Sequence, residues 1–241
     1  LLLALCLVPA HGQPQILDAR PTGSDMVIRF NSPAPFNSRL EVSEDLIQWT
    51  PLHTFAGSAS TRSHPDTRAS YLAHRYYRVV QLETTNAFTG DHVATTEGDV
   101  IVHPLFHASV ALQWNGKTIY VDPDDDGAFL SRYQGLPQAD LIAVTHSHGD
   151  HFSSSRIDAL RKTGTIIIAP VSGVFTSLSA GARATAFVHA NGATTNVLGI
   201  TVEAVPAYNG NHPRGNGNGY VLTMGGKRFY FSGDTGAIPE T

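Results

Sequence analysis

Residues 141–152 read LIAVTHSHGDHF, and this stretch decides what the rest of the chain can be. It opens on an apolar run rich in β-branched residues, 141–145, the pattern of a buried strand. It then turns polar with His146, His148, Asp150 and His151. Such a group of imidazoles and a carboxylate is costly to place at the end of a buried strand unless something binds it. Nitrogen and oxygen donors of this kind suit Zn²⁺ and neighbouring first-row metals such as Mn²⁺ or Fe. Alternation sends His146 and His148 to one side of the loop. Asp150 and His151 follow the turn at Gly149 and face a second point, so the spacing supports two adjacent metals better than one.

Working outward, Ser154 or Ser155 can cap a helix to about Lys162, with Ile157 and Leu160 facing in and Gly164 ending it. Residues 165–169 (TIIIA) form another buried strand, and Pro170 begins a short helix through Leu178. Strand character returns at 186–188, 194–197 and 200–207. The glycine-rich 214–219, RGNGNG, reads as a flexible loop; it precedes a strand instead of opening a helix, so it is no dinucleotide cradle. Residues 219–224 and 228–232 make a hairpin over Gly225-Gly226 that ends in Ser232-Gly233-Asp234-Thr235. Upstream, 109–114 and 117–121 flank Asn115-Gly116, a strong two-residue hairpin signal, and deliver Asp122-Pro123. Asp124, Asp125 and Asp126 read as a solvated acidic loop. Alternating strand, helix, strand, helix indicates an α/β domain over residues 99–241.

Residues 15–83 read as short strands punctuated by Pro, Gly, Ser and Asn, clearest at 26–30, 39–42 and 76–82. Residues 43–52, SEDLIQWTPL, followed by a later RYYRV, resemble small fibronectin-like β-sandwich modules, and the resemblance implies that Trp49 and Tyr77 are core aromatics. His53, His64 and His74 are flanked by polar residues and read as solvated. Residues 84–98 read as a linker, in which His92 has no evident partner.

The chain has 241 residues, 41% hydrophobic and 15% charged, enough for one large domain or a large one with a small companion. A net charge of -4 with no Lys/Arg cluster argues against a nucleic-acid partner; the partner expected is a small-molecule substrate. The single cysteine, Cys6, excludes internal disulfides and Cys-rich zinc sites. Residues 1–10, LLLALCLVPA, resemble the h-region of a secretory signal ending near residue 13, which implies a secreted or periplasmic protein. That run is about half the length of a membrane-spanning helix.

The H-x-H-x-D-H pattern after an apolar strand closely resembles the signature of the metallo-β-lactamase superfamily, from roughly Thr89 onward. FHASV, IYVDP, VPAYN and GYVLTMGGKRFYFSGDTG are most similar to its lactonase-like and phospholipase-D-like metal-dependent hydrolases. The resemblance implies an αββα sandwich preceded by the small all-β domain, which itself resembles fibronectin-like modules of secreted bacterial proteins. It implies that His146 and His148 bind a first metal, that Asp150 and His151 bind a second, and that Asp234 bridges both. It expects a further His after the strand at 200–207; His212 is favoured over His189. It places His107, Asp122 and Asn209 around the ligands rather than among them. It also expects a last ligand beyond Thr241, and so a fold incomplete at its C-terminal end. The implied chemistry is hydrolysis of an ester, lactone, amide or phosphodiester, with Asp150 or Asp234 orienting the nucleophile and accepting its proton.

Competing readings exist. A non-catalytic protein could keep the fold and bind a surface or polymer through its sandwich. A redox branch uses two irons on the same ligands, normally with a flavin-binding partner domain, for which no segment is present. Asp234 stands where the best-known zinc β-lactamases carry Cys, and the Gly-His-Thr element of glyoxalase-type thioesterases is absent.

Overall fold

The computed structural model describes residues 13–82, 88–125 and 127–239, and the chain divides after Val93 into two compact units. The secretory-signal reading therefore falls almost wholly outside the described residues, as does Asp126.

The first unit is all β. Its strands are β1 (Gln15–Thr22), β2 (Asp25–Ser32), β3 (Ser38–Ser43), β4 (Thr50–Phe55), β5 (Ser58–Asp66), β6 (Tyr76–Gln81) and β7 (Gly90–Val93). They form two antiparallel sheets, β1-β2-β5 and β6-β3-β4-β7. Alternation along each strand sends Ile28, Phe30, Leu40, Val42, Phe55 and Tyr77 into one core. Each such side chain contributes about 1.5–3 kcal/mol on burial.

Two buried carboxylates are paired within this small core. Glu41 is bracketed by Arg39 at 2.5 Å and Arg78 at 2.6 Å. Arg78 in turn lies over the Trp49 ring at 4.3 Å. Trp49 is thus half-buried beneath a guanidinium, not a core aromatic, and Phe30 and Phe55 take the place expected for it. Asp66 accepts from Arg75 at 2.6 Å and from the Tyr77 hydroxyl at 3.1 Å.

Two further expectations for this unit fail. The segment expected to be a linker contains β7, paired with β4, because Gly90 and Asp91 sit opposite Thr54 and His53. His92 bonds Thr54 Oγ1 through Nε2 at 2.7 Å. His53 and His64 are not solvated: both point inward and are largely covered. His74 is exposed, stacked on Tyr76.

The second unit holds the LIAVTHSHGDHF stretch. β8 (Val100–Phe106), β9 (Ser109–Trp114) and β10 (Lys117–Val121) pair antiparallel. β11 (Ala139–Ala143), β12 (Arg161–Ala169) and β13 (Ala186–Val188) extend the sheet in parallel. α1 (Ser154–Leu160) and α2 (Ala180–Arg183) accompany this mixed sheet, α2 packing on β12. β14 (Thr194–Val197), β15 (Ile200–Ala207), β16 (Gly217–Met224) and β17 (Lys227–Phe231) make a second, antiparallel sheet in that order. The sheets meet where Tyr220 on β16 donates its hydroxyl to the Val144 carbonyl at 3.1 Å. This is the layered α/β architecture expected from the sequence. No described helix is long and apolar enough to cross a membrane.

Local signals explain most boundaries. Asn115 and Gly116 both take positive φ, 47° and 71°, the mirror-image turn that matches strand twist. Ser153, one residue earlier than expected, caps α1 by accepting from the Arg156 amide at 3.1 Å. α1 stops at Leu160 because Arg161 is already extended, and Gly164 lies in an irregularity of β12 instead of ending a helix. The helix expected from Pro170 is a single helical turn, Val171–Phe175, and α2 was not anticipated. Half of RGNGNG is strand, since β16 begins at Gly217. The acidic run is not simply solvated: Asp124 is buried and accepts from Ser109 at 3.1 Å and Tyr133 at 3.2 Å, while Asp125 pairs with Arg156 at 3.0 Å.

Replacing Asp66 by Ala strands Arg75 and the Tyr77 hydroxyl in the first core. Urea unfolding is expected to show a loss of about 3 kcal/mol. Burial works to raise the Asp66 carboxyl, but Arg75, the Arg68 amide and Tyr77 together hold it below the usual carboxylate range. Its contribution is therefore present above the unfolded carboxyl pKa of about 3.9 and lost as pH falls through the lower folded value. The wild-type and Asp66→Ala stability curves should converge in strong acid; a constant gap would refute this assignment.

Candidate metal centre

The centre is built on neighbouring strand ends. β10 and β11 run parallel with Val121 beside Ala143, so the residues following each strand emerge together. Asp122 takes φ 48°, and its amide donates to the Ala143 carbonyl at 2.9 Å. That left-handed turn lays its carboxylate under the start of the histidine loop. Asp122 Oδ1 accepts the Thr145 amide at 2.6 Å. Oδ2 accepts the Thr145 hydroxyl at 2.7 Å and His151 Nδ1 at 2.8 Å. Asp122 is 2% exposed, so a carboxylate here needs these donors.

The loop then closes on itself. The His148 carbonyl accepts from the amides of His151 at 3.0 Å and Phe152 at 2.8 Å. With Nδ1 on Asp122, His151 turns its Nε2 toward the centre. Burial opposes charging His151, but the hydrogen bond to Asp122 and the charges of Asp122, Asp234 and Asp150 outweigh it and raise its pKa.

The second sheet supplies the opposite wall. After β15, Asn209 and His212 close a tight loop with reciprocal backbone bonds of 3.0 and 3.2 Å. Asn209 Oδ1 accepts His212 Nδ1 at 2.9 Å, which fixes the proton on Nδ1 and leaves Nε2 bare. Asn209 Nδ2 also donates to the Asp234 carbonyl at 3.0 Å. After β17, Gly233 takes φ 55°, and a Cβ there would meet Thr145 Cβ at 3.0 Å. Only glycine lets the chain pass that close and present Asp234.

These elements bring His146, His148, His212 and Asp234 together, their ligand atoms all within 4.8 Å of one another. Asp234 divides its carboxylate between two groups. Oδ2 lies 3.5 Å from His212 Nε2 and 3.8 Å from His146 Nε2. Oδ1 lies 3.1 Å from His151 Nε2, which is 3.9 Å from Asp150 Oδ2. His148 Nδ1 is 3.0 Å from His212 Nε2. His146 Nε2 is buried with no hydrogen-bond partner, an orphan in a polar cluster. Burial first, then the neighbouring His151, pushes His146 down to about 4, so it is a neutral donor at pH 7. An orphaned lone pair, two tautomers fixed from behind and a carboxylate shared across the gap all fit divalent metal ions.

The other expected residues fall as follows. His107 lies off the ligand cluster: its Nδ1 bonds Asp124 Oδ2 at 3.0 Å, and it lines a cavity of about 520 Å³ with Asp150, His151 and Asp234. A second cleft of about 210 Å³ opens on the other side of Asp234, over His146, His148 and His212. His189 stands outside the cluster, buried after β13 with its amide on the Ala169 carbonyl.

Three contributors escaped sequence reading. Thr145 saturates Asp122 with both amide and hydroxyl. Gly217 lies so close to the loop that a Cβ would meet His146 Cβ and the Thr145 carbonyl at 3.2 Å. Asn218 ties the two sheets, its amide on the Thr145 carbonyl at 2.9 Å and its side chain on the His189 carbonyl at 2.8 Å. A glycine inside a strand is the signal that could have exposed Gly217.

Known proteins are similar to this chain. A metal-dependent hydrolase of Thermus thermophilus is 38% identical over 149 residues, covering 58% of this chain and 64% of that protein. One of Thermococcus onnurineus is 32% identical over 142 residues, 56% of this chain and 62% of its own length. The chain thus spans just under two-thirds of these curated relatives. A crystal structure from Parabacteroides distasonis, described as a proposed metal-dependent hydrolase, superposes with a TM-score of 0.54 at 35% identity, covering 64% of this chain and 69% of that one. The sequence profile of the beta-lactamase superfamily domain matches residues 102–241, and with more than half of its length matched the chain belongs to that superfamily.

Proposed function

We propose that this protein is a metal-dependent hydrolase with two metal positions that share Asp234, acting on an ester, lactone, amide or phosphodiester bond of a small molecule. The observation that carries the reading is the split of the Asp234 carboxylate, Oδ2 toward His146 and His212 and Oδ1 toward His151. In this reading His146, His148, His212 and Asp234 hold the first ion, and Asp150, His151 and Asp234 hold the second. Zinc, or manganese or iron in its place, supplies Lewis-acid polarisation of the scissile group and acidifies water toward neutral pH.

The chain's own residues do the rest. Asp122 and Asn209 fix the His151 and His212 tautomers, so neither ring must reorient when metal arrives. Asp150, about half exposed beside the larger cavity, is placed to take a proton from the attacking water and pass it to solvent. Asp234 is engaged on both oxygens and serves to orient. The apolar residues 1–10 support an exported protein.

Replacing His148 or Asp150 by Ala is expected to remove metal-dependent turnover from a panel of p-nitrophenyl esters, lactones and bis-p-nitrophenyl phosphate. Full activity in either variant would overturn the proposal. Asp122→Asn keeps the shape but loses the acceptor for His151 Nδ1; equilibrium dialysis should show metal affinity about 10–100-fold weaker. Gly217→Ala forces a methyl against His146, and the same dialysis should report weaker binding at the first position while Asp150→Ala reports it at the second.

A further inference from the structure

A second group of metal-type ligands lies in the first unit, far in sequence from the centre described above. His53 on β4 sits directly across from the core residue Leu40, and His64 on β5 directly across from the core residue Ile28. Cross-strand partners share a face, so both imidazoles point inward, one from each sheet of the sandwich. Asp91 on β7 sits across from His53 and completes the group. One ligand atom from each of the three lies within 4.8 Å of the others. Asp91 Oδ1 is 2.6 Å from His53 Nδ1 and 3.9 Å from His64 Nε2, and the two rings are 4.7 Å apart.

We propose that the β-sandwich carries its own divalent transition-metal site formed by His53, His64 and Asp91. A hydrogen bond explains only part of the arrangement. His53 and Asp91 make a good one, but His64 aims at the same carboxylate oxygen from a distance too long to bond. Ligands of a tetrahedral zinc with bonds of about 2.0–2.1 Å lie about 3.3 Å apart, between the two observed values, so each moves by less than about 1 Å to close on an ion. Two imidazoles and one carboxylate are a donor set suited to zinc and its first-row neighbours. The imidazoles are mostly covered, with 21% and 16% of each side chain exposed, while Asp91 at 59% faces solvent and leaves an entry path. Phe55, 4.0 Å from the His53 ring and 5.5 Å from that of His64, backs the group on its core side. An ion here ties β4 and β7 of one sheet to β5 of the other.

The test uses the full chain carrying His148→Ala and Asp234→Asn, so that the outcome does not depend on the hydrolase reading. After dialysis against zinc and then buffer, elemental analysis should find about one zinc per chain. Adding His64→Gln should reduce this to none. Asp91→Asn, at an exposed position with little effect on folding, should weaken zinc binding at least about tenfold and abolish the rise in melting temperature on adding zinc. Cobalt should give tetrahedral visible absorption that is lost in both variants. Zinc content unchanged by His64→Gln and Asp91→Asn, or no zinc in the starting double variant, would overturn the proposal.

Discussion

The buried carboxylate of Asp122 is the constraint on which the centre depends. It sits where two parallel strands end, and water cannot reach it to supply hydrogen bonds. Three donors converge on it: the amide and hydroxyl of Thr145 and the ring of His151. Satisfying one buried charge therefore fixes the first residue of the histidine loop and its last ligand together. The left-handed backbone at Asp122 is what brings the carboxylate to this position. Around it, the exposed residues His148 and Asp150 are held by the loop's own backbone turn.

The second sheet meets the histidine loop by close backbone approach. Gly217 and Gly233 let β16 and the end of β17 come within van der Waals contact of Thr145 and His146. Asn218 then stitches the gap with bonds to both sides. The Asn209–His212 loop adds an imidazole already oriented by its own neighbour. The His151 and His212 rings are thus each oriented by a hydrogen bond to a neighbouring residue.

Much of this was legible in sequence because it rests on local rules. The strands at 109–114, 117–121, 194–197 and 200–207 follow apolar alternation bounded by turn residues, and Asn115-Gly116 names its own turn. The dense His and Asp spacing after a buried strand pointed to metal without any fold. What escaped depends on long-range placement. Asp124 looks like part of a solvated acidic run, yet Ser109 and Tyr133 from other segments bury it. His53 and His64 have polar neighbours in sequence, while register places them opposite Leu40 and Ile28. Trp49 has the character of a core residue, but Arg78 from a distant strand reaches over it first. β7 is a strand because a distant segment, β4, pairs with it.

The wide sequence separation between His146 and Asp234, on different sheets, bears on how the protein reaches its native state. The loop joining them has to close before an ion can touch both, and closing it costs chain entropy that the ion cannot recover beforehand. In the proposed reading, an ion that needs both residues engages them together only once the two sheets have met. Interactions formed after the folding transition state leave the folding rate nearly unchanged and slow the reverse reaction. In the proposed reading, an ion held by both residues would act as a latch on the finished structure, slowing unfolding more than it speeds folding.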